Sequence, residues 1–345
     1  MQSSQALKWL SEEYFDLNGF HVDVLEKPPT PLEFSRLVHI SRPVLIKGDP
    51  VGFKAAPNPG LWTDEYLAET MGSRSISVAV TPNGRADAIT TGPDEKLYFA
   101  EPCVESMTMS DLLAKLSDHK RGSSENSETY YLQSQNGNLY SSRFFEGMDD
   151  PSEFEPLRRG VPSEISWCSQ ALDRTPDAVN IWIGDEKSVT SIHSDPYENV
   201  YTVIRGEKHF TLLPPTEGWC LKERTYPHAT YVRNIDTCQL RLEPSPKEVA
   251  PVRWSSVADP QLPGSLSDKA HPIHVVVKSG ETLYLPAGWW HHVQQSGKTI
   301  ALNYWYDIEM RGMAWVLLSF LRNVKEVPSG NEDDMDTKDQ ENTID

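Results

Sequence analysis

A histidine and an aspartate two residues apart, His193-Ser194-Asp195, and a further histidine in Trp289-Trp290-His291-His292 far downstream restrict what this 345-residue chain can fold into. Residues i and i+2 of a strand project to the same face. The ligands of one metal ion must converge from one side. If these three side chains act together, a strand from the middle of the chain must therefore lie beside a late one, as in a sandwich or jelly roll. Two imidazoles and one carboxylate also form the facial ligand set of a non-haem Fe(II) centre, which leaves the opposite face of the metal open for a co-substrate and O2. A lone His-x-Asp pair is a weak signal, and the third ligand gives it weight. Spacing leaves His291 and His292 as rivals, because neighbouring strand residues face opposite ways.

The surrounding pattern suits such a fold. Residues 179–183 form an apolar strand ending at Gly184. Residues 199–204 and 208–213 read as two strands joined by a turn at Arg205-Gly206-Glu207, with Pro214-Pro215 ending the second. Short strands follow at 273–277, 282–285, 291–294 and 299–306, with turns at Ser279-Gly280 and Ser296-Gly297. Residues 243–272 are rich in Pro and Ser and read as an inserted loop. Upstream, a helical pattern runs from Ala6 to Phe15. Thr30 then caps a second helix with Pro31 at its first position and Glu33 in its first turn. Residues 43–46 and 75–80 read as strands and 118–128 as a loop. Residues 310–325 return to helical period, with Met313, Val316, Leu317, Phe320, Leu321 and Val324 on one stripe, expected to pack on the barrel or on a second subunit.

The expectation is a mainly β fold with flanking helices, a double-stranded β-helix or jelly-roll barrel. Its parts are N-terminal elaborations over 1–130, the catalytic barrel over 131–309, a C-terminal helix over 310–327 and a disordered acidic tail over 328–345. From residue 331 onward the tail carries seven acidic residues against Lys338 alone.

Ten Trp, thirteen Tyr and ten Phe supply a packed core. The net charge of −18 repels phosphate backbones, so no nucleic-acid partner is expected. A cationic protein or peptide suits that field, although acidity also serves solubility. Cys103, Cys168, Cys220 and Cys238 are scattered, without a Cys-x-x-Cys pair, and read as reduced thiols. With no apolar leader and no membrane-spanning run, the expectation is a cytoplasmic protein without a membrane partner, the nucleus remaining open.

Lys208 shares a strand face with Phe210 and Leu212. A lysine on an inward face is costly unless it meets an anion. Either it pairs with the distal carboxylate of 2-oxoglutarate, or it lies at the solvated strand end and snorkels. Asn303, in the apolar run 300–305, needs a polar partner. The keto acid's metal-bound end or a neighbouring loop could supply it, and Asn199 poses the same question. Trp182, Trp290 and Trp305 read as packing residues.

Together, His193-Ser-Asp195, Asn199, Gly206-Glu-Lys208, Pro214-Pro215, Leu285-Pro286, Trp289-Trp-His-His292 and Asn303-Tyr-Trp305 resemble the JmjC family of Fe(II)/2-oxoglutarate oxygenases. The resemblance is strongest to its peptidase and lysyl hydroxylase branch, through Val78-Ala-Val-Thr-Pro-Asn-Gly84, Pro176-Asp-Ala-Val-Asn180, Val189-Thr-Ser-Ile-His193 and His291-His-Val-Gln-Gln295. It spans roughly residues 28 to 320, with residues 216–272 and Ser194 departing from the pattern. It implies a cupin-like barrel with His193, Asp195 and His291, rather than His292, on Fe(II). It further implies Lys208, Tyr131 and Thr190 on 2-oxoglutarate, with Asn199 and Asn303 near its metal-bound end and O2 as the second co-substrate. The implied substrate is a protein lysine, as in developmentally regulated GTP-binding proteins. Histone lysine demethylation, histone-tail cleavage and a metal-free cupin-like binding protein are the alternatives. An acidic pocket would suit a lysine, but the sequence does not identify its walls.

Overall fold

Two long antiparallel strands, Tyr197–Leu213 and Trp290–Asp307, form the spine of the fold, in register from Tyr197 opposite Asp307 to Leu213 opposite Trp290. In the computed structural model, which describes residues 3–48, 51, 62–118, 128–135 and 137–331, each is one strand where the sequence pattern suggested two joined by a turn. The glycines mark a bulge instead. Register shifts fall between Val203 and Arg205 and between Arg205 and Glu207. Gly206 lies at φ 81°, and a Cβ there would sit 2.5 Å from the Thr299 hydroxyl of the neighbouring strand. A bulge bends a paired strand and raises its twist without reversing it. Most of the loop expected at 118–128, and the tail from 332 onward, lie outside the described residues.

The bend lets each long strand serve two layers of one ten-stranded sheet. The halves 197–203 and 299–307 pair with Thr282–Leu285 and Ala178–Gly184, and this layer extends through Val44–Ile46 to Asp23–Leu25. The halves 207–213 and 290–296 pair with Ile273–Lys278 and Val189–Ser194, with Arg85–Ala86 at the edge. The layers face each other across an apolar interior in which Tyr201 of the first meets Phe210 of the second edge to face, ring centres 5.2 Å apart. This is a mainly β, cupin-like jelly roll with flanking helices.

The Pro31–Ile40 helix covers part of the outer face of the first layer. Thr30 and Glu33 form the expected capping box of the Pro31–Ile40 helix. That helix drives Phe34 into a fully buried cluster against Trp167 and Tyr284. Its end at Ser41 accepts a hydrogen bond from the Trp289 indole at 3.0 Å, fixing the segment that leads into the second long strand.

Glu198 points into this outer core, one residue from the pocket-facing Asn199. Burial pushes its carboxyl up to about 7, although it accepts hydrogen bonds from the Tyr284 hydroxyl, at 2.6 Å, and the Ala287 amide. A carboxyl raised from about 4.5 in the unfolded chain costs stability as pH rises through that window, because the folded state holds the proton longer. Denaturant titrations of Glu198→Gln are expected to show a variant whose stability relative to the parent improves between pH 4.5 and pH 7, by up to roughly 3 kcal/mol. A gain that does not change with pH would rule out this origin.

Downstream, one expectation is corrected and another is met in part. The stretch 243–272 is not all loop, since Val252–Trp254 pairs with Arg224–Tyr226. The C-terminal helix, Met313–Asn323, does not turn its whole apolar stripe onto the barrel. Met313, Val316, Leu317 and Phe320 are exposed, while Trp315, Leu318, Leu321 and Val324 border a groove. The expected period was right, but the apolar residues extend around more of the helix than one packed face can cover.

Candidate metal centre and co-substrate pocket

His193 and His291 are direct partners across the antiparallel ladder, so their rings emerge side by side from one face, centres 4.2 Å apart. Asp195 lies just beyond the strand end, and its carbonyl accepts the Gly288 amide at 2.8 Å, which ties it to the approach of the other strand. Its carboxylate Oδ2 stands 3.6 Å from His193 Nε2 and 3.7 Å from His291 Nε2. The ligand atoms of all three lie within 4.8 Å of one another, close enough to share one ion.

The second nitrogens set the chemistry of the first. His193 Nδ1 faces the Ser191 carbonyl at 2.8 Å and His291 Nδ1 the Trp289 carbonyl at 3.0 Å. A ring that donates from Nδ1 keeps an Nε2 lone pair for a metal. Burial, with the neighbouring His193, pulls His291 down to about 4. Burial opposes ionisation of Asp195, but the two imidazoles beside it and Arg322 hold it at about 2. A carboxylate and two imidazoles in this arrangement fit an Fe(II) ion.

His292, the rival, pairs opposite Thr211 on the far face of the strand and is fully buried, with no partner on either ring nitrogen among the described residues. The triad is thus drawn from two adjacent strands of the second layer.

Between the layers lies a cavity of about 280 Å³ lined by the triad together with Tyr131, Thr190, Asn199, Asn303 and Trp182. Lys208 is 2% exposed, so it does not snorkel. Its amine donates to the Tyr131 hydroxyl at 3.2 Å, and burial pulls it down to about 7. Tyr131 also bonds the Thr190 side chain. An amine buried with, among the described residues, a phenol as its hydrogen-bond partner suits an added anion.

The amides divide their work. Asn303 Oδ1 accepts from the Trp182 indole at 2.9 Å and from Asn180 at 3.2 Å, and its Nδ2 donates to Asn199 Oδ1 at 3.4 Å. Asn303 therefore finds its partners within the protein and positions Asn199 at the cavity wall. Trp182 and Trp305, expected to pack, also line this cavity, while Trp290 packs in a separate apolar cluster.

Several wall residues carried no signal in the sequence. Trp254, from the supposed loop, stacks on His193 with ring planes 10° apart. Phe99 packs on Trp254, with Asp87 and Gln133 beside them. They come from four separate segments, which only the tertiary fold unites.

A larger groove of about 650 Å³ opens from the same place, sharing Ser194 and Asp195 with the cavity. Its walls include Trp219 of the Pro215–Leu221 turn and Trp315, Leu318 and Arg322 of the C-terminal helix.

A jelly roll with this triad defines a cupin-like metal protein, and a family model described as a cupin-like domain matches residues 29–312. The chain is 36% identical over 293 residues to the human bifunctional peptidase and (3S)-lysyl hydroxylase JMJD7, covering 84% of each chain. It is 35% identical over 322 residues to lysine-specific demethylase JMJ32 of Arabidopsis thaliana, covering 89% of this chain and 87% of the relative. It is 33% identical over 327 residues to JmjC domain-containing protein E of Dictyostelium discoideum, covering 87% and 88%. The chain belongs to the cupin-like JmjC family. Enzymes of this kind are Fe(II)- and 2-oxoglutarate-dependent oxygenases, and this chain is one of them.

Proposed function

We propose that the chain is a protein lysyl hydroxylase in which His193, Asp195 and His291 hold Fe(II) and Lys208 anchors 2-oxoglutarate. The observation that carries this reading is the cross-strand triad on a cavity whose wall residue Tyr131 is bonded by a buried amine, Lys208, that pairs with no anion among the described residues. Tyr131 and Thr190 steady that amine from the adjoining strand ends, and Asn199, held by Asn303, offers its amide near the metal end. When bound, iron with 2-oxoglutarate and O2 supplies the oxidising power, giving succinate, CO2 and one oxygen atom inserted into a C–H bond. The protein fixes the geometry and excludes water. The groove bordered by Trp219 and Trp315 is large enough to admit a polypeptide segment to the triad.

The human relative, named a lysyl hydroxylase, supports a lysine as the target. Developmentally regulated GTP-binding proteins are the substrates we infer from the sequence resemblance. The Arabidopsis relative, named a demethylase, supports a second reading at the same centre, with oxygen placed on an N-methyl carbon that is then lost as formaldehyde. Mass spectrometry of such a GTP-binding protein and of methyl-lysine peptides, after incubation with the enzyme, Fe(II) and 2-oxoglutarate, separates the readings. One added oxygen on a lysine is expected. Methyl loss without oxygen gain would transfer the assignment to demethylation, and truncated peptides would transfer it to cleavage.

We further infer that the exposed Met313, Val316, Leu317 and Phe320 face meets a second copy of the chain, and that the protein works in the cytoplasm or nucleus. Sedimentation of Phe320→Glu tests the first point, with a monomer expected where the parent is a dimer.

A further inference from the structure

The lining of the cavity carries one carboxylate besides Asp195, and among the described residues no lysine or arginine pairs with it. Asp87 lies between the short strands Arg85–Ala86 and Ala88–Thr91 at φ 53°, a left-handed conformation that favours Asp, Asn and Gly. Its place is fixed from both sides. The Ser191 hydroxyl, two residues before the metal-site histidine, donates to the Asp87 carbonyl at 2.5 Å. The Gln133 amide donates to Asp87 Oδ2 at 3.2 Å. Among the described residues no lysine or arginine pairs with this carboxylate, and nothing donates to Oδ1. Beside it the stacked rings of His193 and Trp254, with Phe99 packed on Trp254 at 4.8 Å, form an aromatic wall.

We propose that Asp87 is the recognition group for the ammonium of the substrate side chain, with Trp254 and Phe99 flanking its methylenes. This rests on the hydroxylase reading and adds the residue that selects a charged, unmodified lysine. The cavity then carries opposite charges for its two occupants. Lys208, behind Tyr131, takes the anionic co-substrate, and Asp87 takes the cationic side chain, so neither can occupy the other's place without facing a like charge. An ammonium brings the free Oδ1 both a positive charge and N–H donors, whereas an acetylated nitrogen keeps one N–H without the charge and a trimethylated one keeps the charge without a donor. Flat aromatic faces suit the apolar stem of a lysine and add a cation–π contribution near its end.

The test uses full-length protein loaded with Mn(II) and 2-oxoglutarate. Binding is read by fluorescence polarisation of degenerate peptide pools whose fixed central residue is lysine, acetyl-lysine or norleucine. The parent is expected to bind the lysine pool about 30-fold more tightly than either neutral pool, the size of effect produced by truncating one partner of a buried charge pair. Asp87→Asn and Asp87→Gly, both compatible with the left-handed backbone, should bring the three pools to within about 2-fold of one another. Their 2-oxoglutarate affinity and melting temperature should stay at the parent's values, which separates lost recognition from lost folding. A lysine preference that survives in both variants overturns the assignment of Asp87 and leaves the hydroxylase reading intact. A parent that binds all three pools alike overturns both.

Discussion

Lys208→Met is expected to change two measurements in opposite directions. Affinity for 2-oxoglutarate, read calorimetrically on Mn(II)-loaded protein, should fall by at least about 30-fold, since a buried anion would lose its charged partner. The metal-free, ligand-free variant should nonetheless be more stable than the parent. Burial alone pulls this amine from 10.5 to about 7, a cost on the order of 5 kcal/mol that methionine avoids. The sign follows from linkage. The unfolded chain keeps the proton to higher pH than the folded one, so the cost is full below pH 7 and disappears as pH rises toward 10.5. The stability advantage of the variant should therefore be large at pH 6 and nearly absent above pH 10. An unchanged co-substrate affinity would remove Lys208 from the anion site, whatever happened to stability.

His193→Ala is expected to abolish both iron retention and succinate formation. Losing an outer hydrogen-bond partner of a metal ligand typically costs 10- to 100-fold in affinity, and losing a ligand itself should cost more than about 100-fold. The informative comparison is His292→Leu. His292 adjoins a triad member but faces the opposite side of the strand, with two buried nitrogens and no partner among the described residues. That variant should retain one iron per chain and near-parental turnover, and its stability should not fall, because an unsatisfied polar ring is replaced by an apolar side chain. Metal analysis of the two variants decides the ligand assignment. Iron lost from the His292 variant and kept by the His193 variant would reverse it.

The triad was legible because its signal is local where it needs to be. His193 and Asp195 share a face at spacing two, and His291 needed only a strand able to lie beside theirs. The choice of His291 over His292 came from family resemblance, and the ladder gives the physical reason, since His291 is the residue paired with His193. Lys208 was recognisable as an anomaly in an apolar strand, but whether it was buried depended on how Tyr131 and Thr190 close over it. The long strands were misdivided because glycine beside charged residues gives the same pattern for a turn and for a bulge, and only the partner strand tells them apart. Asp87, Gln133 and Trp254 were invisible for another reason. Each is an ordinary residue in a polar or irregular stretch, and its role arises from meeting segments more than forty residues away.

The bend at Gly206 has a mechanical meaning. The ribbon 290–307 carries His291 at one end, paired with His193 of the neighbouring strand, and seals the outer core at the other, so this ligand has no separate hinge along which to loosen. Amide protons of 197–213 and 290–307 should exchange with solvent only when the entire molecule opens, with or without iron. Loading the metal would then resemble seating a bolt in a drilled plate, and iron loss would leave an intact scaffold ready to be refilled.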